Sequence, residues 1–332
     1  MTPEPVIDVV GLRKSYGIGQ SSVLAVDGID FSIARGEVFA LLGPNGAGKS
    51  STVEILEGYH DRSGGEVRVL GADPQRLHGR ALLDWKARIG VVLQSTNEEN
   101  VLTVRQTLQQ FAAFYPHPRG IDEVIAAVGL TEKAGARVHK LSGGQRRRLD
   151  VALGVIGRPE LLFLDEPTTG FDPVARREFW GLIKQLQDEG TTILLTTHYL
   201  DEAAHLSNRV GIIAAGRLVD LGPVDQIGGA EARVPIVRWR DAGGRIRELR
   251  TDEPARAVTE LVATFEGEPP ALEVIRPSLE DIYLQLIGHL GTEAEGDADS
   301  AADVGSARGE SGPSAADTTR ARTPRETEGV SA

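Results

Sequence analysis

The octapeptide Gly43-Pro44-Asn45-Gly46-Ala47-Gly48-Lys49-Ser50 stands between an apolar run, Val38–Leu42, and a helix-patterned segment, Lys49–Glu57. An apolar run this short, ended by a glycine turn, reads as a buried strand rather than a membrane span. Strand, glycine-rich turn and helix in that order make a concave anion site, because successive backbone N–H groups point inward and a helix N-terminus stands behind them. Gly43, Gly46 and Gly48 permit close backbone approach; Lys49 can reach the β- and γ-phosphates of a nucleotide, and the Ser50 hydroxyl can ligate Mg²⁺. Pro44, Asn45, Ala47 and Ser51 belong to the same expected contact. At average glycine usage of about 7%, the specified positions coincide by chance in roughly one chain in a hundred of this length. A plain glycine turn therefore explains the octapeptide poorly, and ATP or GTP binding is the expectation.

Working outward, Val6–Leu12 and Val23–Ile33 carry β-rich patterns, and strand-like runs recur at Leu161–Leu164, Thr192–Thr196 and Val210–Ala214. Helical segments at Val174–Glu189 and Leu200–Leu206 separate the later runs, the alternation of a layered α/β core with parallel strands. From about Arg88 to Ala152 apolar residues recur at helical spacing, as in Leu108, Phe111, Ala112 and Tyr115, or Val124, Ile125 and Val128. A boundary is expected near Gly222-Pro223. Beyond it Val234–Arg240 and Gly244–Arg250 read as a strand pair turned at Asp241-Ala242-Gly243. Glu253–Phe265 reads as a helix, Ala271–Arg276 as a strand and Ser278–Ile287 as a helix. From about Gly291 large apolar residues almost vanish, and the composition predicts disorder.

Bulk composition excludes several classes. The 332 residues are 40% apolar and 25% charged, as in ordinary soluble globules, with a formal net charge of −12. That balance opposes a broad nucleic-acid surface, which needs clustered Lys and Arg. Zero cysteines rule out disulfides and thiolate metal sites and fit a reducing cytosol. Met1–Pro5 lacks a basic stretch followed by an apolar run, so no secretory signal is read there. No segment approaches roughly 18 consecutive apolar residues. If the chain moves something across a membrane, the pore belongs to another chain.

Leu161-Leu162-Phe163-Leu164-Asp165-Glu166 is an apolar strand ending in two carboxylates. An ordinary strand ending at a charged turn is one reading. Its place after the phosphate loop offers another, in which Asp165 holds Mg²⁺, as in P-loop NTPases, and Glu166 activates the attacking water as general base. Leu141-Ser142-Gly143-Gly144-Gln145 reads as a helix N-cap, and a Ser at a helix start beside two Gly is also an anion-binding shape. Five specified residues coincide by chance in fewer than about one chain in a thousand.

With Gln145-Arg146-Arg147-Arg148-Leu149 continuing the pattern, the chain resembles ATP-binding cassette (ABC) ATPases over about residues 6–288. The resemblance implies an α/β P-loop NTPase cassette, with a mixed sheet core and a helical subdomain at about 88–152, over residues 1–222. It also implies a small α+β C-terminal accessory domain at 223–288, followed by a tail at 289–332. It implies head-to-tail dimers, in which Ser142 and Gly144 of one copy contact the γ-phosphate held by Lys49 of another, with Gly143 and Gln145 in the same nucleotide-binding turn. Tyr16 takes the place of an adenine-stacking aromatic, and Gln94, after a strand at Ile89–Leu93, that of a glutamine sensing Mg²⁺ and lytic water. Asp172, in Gly170-Phe171-Asp172, falls in the loop after the acid, with Phe171 where the family usually has Leu. His198, in Leu195-Thr196-Thr197-His198, matches a histidine that contacts the γ-phosphate. The implied catalytic set is Glu166, His198 and Gln94; the implied Mg²⁺ set is Ser50, Gln94 and Asp165.

Gly154-Val155-Ile156-Gly157-Arg158-Pro159-Glu160 and Pro277-Ser278-Leu279-Glu280-Asp281-Ile282-Tyr283 look most like ATPase subunits of ABC-2-type exporters of the drug-resistance group. The resemblance then implies ATP and Mg²⁺ as ligands, a second ATPase copy, an integral membrane permease as partner, and a place at the cytoplasmic face of the membrane. Efflux of a drug, antibiotic or other hydrophobic compound is the expected task, with Asn97–Val104, including Glu98 and Glu99, expected to meet the permease. Two rival readings are a soluble ABC ATPase of DNA repair or translation and a nucleotide-dependent regulator. The first usually carries two cassettes or coiled-coil insertions, which this chain lacks.

Overall fold

A computed structural model describes residues 4–17, 19–92, 101–265 and 267–288. Half-buried patterns in β1 (Ile7–Tyr16) and β2 (Val23–Ile33) fit strands with one face on a core, and the two pair antiparallel. The strand β3 (Val38–Leu42) is buried at every residue, as a central parallel strand covered on both faces must be. It runs through the glycine turn into α1 (Lys49–Leu56). Then come β4 (Gly64–Val69), which joins the other edge of β1, and α2 (Gly79–Lys86).

The strand expected before Gln94 forms as β5 (Ile89–Val92), hydrogen-bonded into the central sheet. The helical part proper is α3 (Val104–Ala112), α4 (Ile121–Ala127) and α5 (Gly143–Val155). Two of these helices start on reciprocal capping boxes, Thr103 with Gln106 and Ser142 with Gln145, which satisfy otherwise orphaned N–H groups. The core order resumes with β6 (Leu161–Asp165), α6 (Pro173–Asp188), β7 (Thr192–Thr197), α7 (Leu200–Leu206), β8 (Arg209–Ala214) and β9 (Arg217–Pro223). A short α8 (Gly229–Ala232) precedes β10 (Ile236–Arg240), β11 (Ile246–Arg250), α9 (Pro254–Thr264) and β12 (Glu273–Ile275); α10 covers 279–288.

The central sheet has the order β5-β6-β7-β3-β8-β9. Its first five members are parallel and β9 is antiparallel at the edge. Because side chains alternate along a strand, the sheet divides the apolar residues between two cores. Phe39, Leu41, Phe163 and Leu194 face the β2-β1-β4 sheet and α1, with Phe31 stacked on Phe39 at 5.5 Å. Ala40, Leu42, Leu162, Leu164 and Ile193 face α5, α6 and α7 through Leu149, Phe179, Ile183 and Ala203. Each fully buried Leu or Phe contributes roughly 1.5–3 kcal/mol, so the sheet is held from both sides. Leu279 and Ile282 of α10 are buried in that second core, which ties the end of the described chain to the same packing as Val210 and Ile212. Among the described residues no helix is long and apolar enough to cross a membrane.

Candidate functional site: a phosphate cradle at the strand ends

Parallel register decides which residues meet. Leu42 pairs with Thr197, and Asp165 pairs with Thr196, so the carboxyl ends of β3, β6 and β7 lie side by side, the usual place for a ligand in an open α/β sheet. The turn after β3 is Gly43–Gly48. At Gly48 φ is +105°, and a Cβ there would lie 2.4 Å from the Ala25 carbonyl oxygen, so only glycine closes this turn. Gly48 is also the N-cap of α1 and offers no side-chain cap, which leaves the helix amides directed at the cavity for an anion.

That cavity, of about 280 Å³, is lined by Asn45, Gly46, Lys49, Ser50, Asp165 and Glu166, among others. Lys49 is 7% exposed, and its Nζ donates to the carbonyls of Gly43 at 2.7 Å and Pro44 at 3.0 Å, bridging the loop. Burial pulls the Lys49 pKa down, while the charges of Glu166 and Asp165 push it the other way. One Asp165 oxygen accepts a short bond from the Thr196 hydroxyl. Ser50 and Asp165 present a hydroxyl and a carboxylate to the same space. Among the described residues no group of three or more His, Asp or Glu could cage a metal. Two oxygen donors beside a phosphate site suit Mg²⁺, which keeps several waters and usually takes only one or two carboxylates from protein.

Glu166 has φ +43°, a backbone conformation costly for a residue with a Cβ. It is held there because its N–H donates to the Thr196 carbonyl at 3.0 Å. One carboxylate oxygen lies 3.2 Å from His198 Nδ1, and the other accepts from the Thr169 hydroxyl at 3.3 Å. His198 is flanked by the Tyr199 ring at 4.1 Å, and the Arg176 guanidinium lies 4.5 Å above the centre of the Tyr199 ring. A carboxylate aimed at the cavity and backed by an imidazole can accept a proton from a bound water.

Comparison with known proteins then decides the family. The ABC transporter family model matches residues 26–169. The daunorubicin resistance ATP-binding protein DrrA2 of Streptomyces coeruleorubidus is 37% identical over 311 residues, covering 84% of this chain and 94% of that protein. The chain belongs to the ABC transporter family. A Nod factor export ATP-binding protein I of Rhizobium johnstonii is 36% identical over 307 residues, covering 85% of this chain and 94% of the relative. The ATP-binding cassette MJ0796, solved as a dimer bound to ADP and Pi, superposes with a TM-score of 0.59 at 23% identity, covering 65% of this chain and 98% of that one. As an ABC transporter ATP-binding subunit, this chain binds and hydrolyses ATP, on the P-loop NTPase fold described above.

The structure gathers Gly46, Gly48, Lys49, Ser50, Ser51, Asp165 and Glu166 around one cavity and brings His198 onto Glu166. Tyr16, 37% exposed, reaches the loop through its hydroxyl, 3.1 Å from Ser51 Oγ. Asp172 caps α6 by accepting from the N–H groups of Val174 and Ala175, both at 2.9 Å. Ser142, Gly143, Gly144 and Gln145 do not line the cavity; they form the start of α5, with Ser142 and Gly143 exposed and Gly144 and Gln145 half-buried. Gln94 and the first half of the Asn97–Val104 segment, with Glu98 and Glu99, lie outside the described residues.

Sequence reasoning missed Arg147, Thr196 and Glu57. Arg147 is buried and donates to the main-chain carbonyls of Asp165 and Pro167. Glu57 is pushed up to about 8, chiefly by burial and then by the charges of Asp165 and Glu54. An arginine inside the Arg146-Arg147-Arg148 run carries no local signal that one member turns inward. The three differ only in the helix face that each occupies.

Proposed function

We propose that the chain is the ATPase subunit of an ABC exporter, working as a head-to-tail pair beneath a separate membrane subunit. The observation that carries this reading is the Glu166–His198 contact at 3.2 Å beside the phosphate loop. In this reading Lys49 and the loop amides hold the β- and γ-phosphates, Ser50 and Asp165 hold Mg²⁺, and Tyr16 packs on the adenine. Bound Mg²⁺ supplies charge neutralisation to the phosphates. Glu166 takes the proton from the attacking water, and His198 orients Glu166 and the γ-phosphate. Catalysis is then mostly positioning and electrostatics.

The Ser142–Gln145 turn supports the paired arrangement, because it is an anion-binding helix start that is exposed at Ser142 and Gly143 and absent from its own cavity. The dimeric cassette to which the fold is similar points the same way. For a membrane partner, a groove of about 580 Å³ lined by Glu57, Tyr59, Phe111 and Tyr115 lies next to β5, the strand that leads into residues 93–100. Tyr59 is 75% exposed there, and Phe114, 73% exposed, meets the groove's Phe111 edge to face at 6.1 Å, apolar surface suited to a cytoplasmic segment of the permease. The resistance and export relatives support outward transport, with a drug, antibiotic or other hydrophobic compound as the cargo in this reading.

Glu166→Gln should lower steady ATP hydrolysis by about 10²–10⁴-fold while leaving ATP binding intact. Hydrolysis near the wild-type rate would remove Glu166 as general base. The head-to-tail pairing is tested by mixing Lys49→Ala and Ser142→Arg copies. Each alone should be inactive, and the mixture should recover activity through the one composite site left intact. Affinity purification from detergent-solubilised membranes should retain a permease, and loss of that permease on Phe111→Ser/Phe114→Ser exchange would place the contact at the groove.

A further inference from the structure

Glu202 lies on the first turn of α7, four residues after His198, and its side chain is wholly buried. It does not line the phosphate cavity, but it stands at the start of the helix that follows His198. Thr168, two residues after Glu166, and Thr197, one residue before His198, turn their hydroxyls toward its carboxylate closely enough to favour the charged form. Its Oε1 accepts from Trp180 Nε1 of α6 at 3.4 Å. Burial is the larger effect and raises its pKa, with the Arg176 charge acting against it.

A carboxyl group costs more to bury than a leucine or methionine of similar volume, so packing alone is a poor reason for its presence. Its hydrogen bonding is also incomplete. Glu202 Oε2 and Thr168 Oγ1 are both buried and neither closes a well-formed bond. A bond between that acceptor and that donor would clasp the Pro167–Gly170 turn to α7.

We propose that Glu202 is a positioning residue for ATP hydrolysis, clasping the turn after Glu166 to the end of β7 so that Glu166 and His198 stay in register. The inference rests on the reading of Glu166 and His198 as the hydrolytic pair. It assigns Glu202 no contact with nucleotide, only control over the two groups that have one.

The test compares Glu202→Ala, Glu202→Gln, Thr168→Val and the double variant His198→Ala/Glu202→Ala, each as the full chain. Expected for Glu202→Ala is a fall in kcat of at least about tenfold, with trinitrophenyl-ATP affinity within about twofold of wild type. Glu202→Gln, which keeps the volume and two hydrogen-bonding groups, should recover most of the rate, and Thr168→Val should reproduce part of the loss. Because the clasp acts through the pair, the loss from Glu202→Ala should be smaller in the His198→Ala background than in the wild type. If Glu202→Ala fails to fold, Thr168→Val carries the same comparison. Unchanged kcat in either, or losses that multiply with His198→Ala, would overturn the proposal. If instead Glu166→Gln keeps full activity, the hydrolytic reading fails first, and the two failures are told apart by that one rate.

Discussion

Arg147, on the helix that starts at Ser142, donates through its guanidinium to the main-chain carbonyl of Asp165 at 2.6 Å. A second bond, at 3.0 Å, goes to the carbonyl of Pro167. One buried cation thus joins the α5 start, which in the proposed pair serves the partner's nucleotide, to the loop that carries this chain's own Asp165 and Glu166. Burial pushes the Arg147 pKa down and the charges of Asp150, Asp165 and Glu202 oppose it, so the guanidinium stays charged.

Replacing Arg147 by Met leaves those two carbonyls without this donor in a buried setting, at about 1–3 kcal/mol each. Arg147→Met should therefore lose roughly 2–6 kcal/mol in urea unfolding and at least about tenfold in hydrolysis. Arg147→Lys keeps the charge but cannot span both carbonyls, and should fall between.

Gly48→Ala forces a Cβ to 2.4 Å from the Ala25 carbonyl oxygen at φ +105°. The loop must move, and the Lys49 and Ser50 amides move with it. A loss of about 1–3 kcal/mol in stability is expected, together with loss of measurable trinitrophenyl-ATP binding. Wild-type affinity in this variant would show that the loop backbone is not the phosphate contact.

Glu166 holds φ +43° at a cost of about 1–2 kcal/mol. Glu166→Gly relieves that strain, partly offset by about 0.5–1 kcal/mol of added unfolded-state entropy. The glycine variant should match or slightly exceed wild-type stability while hydrolysing ATP about 10²–10⁴-fold more slowly. Glu166→Val, β-branched at the same φ, should be less stable than the glycine variant by at least about 1 kcal/mol. Thermal melts of the two rank the strain directly.

Glu57 rises from an ordinary value of 4.5 to about 8 in the fold. Between those values the folded chain keeps a proton that the unfolded chain has released. Stability from this group is therefore fully present below pH 4.5 and is lost as pH rises toward 8. The slope is at most about 1.4 kcal/mol per pH unit. Urea midpoints of wild type should fall from pH 5 to pH 8 more steeply than those of Glu57→Gln, which has no proton to lose. Parallel slopes would mean that Glu57 is solvated.

Local features were the legible ones. The strand–turn–helix around Gly43–Ser50 is contiguous, and the glycines, Lys49 and Ser50 act within a span that neighbouring residues dictate. The same holds for α7, where Leu200–Leu206 matches the helical pattern residue for residue, and for the Ser142 cap of α5. The strand before Gln94 was legible as well: Ile89–Val92 is a short apolar run, and its pairing with β6 places it in the central sheet. β4 and α2 were not read at all: Gly64–Val69 has two glycines and two charged residues in six, and only its ladder to β1 makes it a strand.

Sequence by itself determined that a nucleotide phosphate site exists, which residues form its loop, and which acids stand near it in order along the chain. Tertiary structure alone decided that Thr196 meets Asp165, that His198 meets Glu166, and that Arg147 and Glu202 stand behind them. The physical reason is separation along the chain. These partners are 18 to 32 residues or more apart and are brought together by the parallel register of β6 and β7 and by the helices packed on one face of that sheet. No local pattern encodes that register.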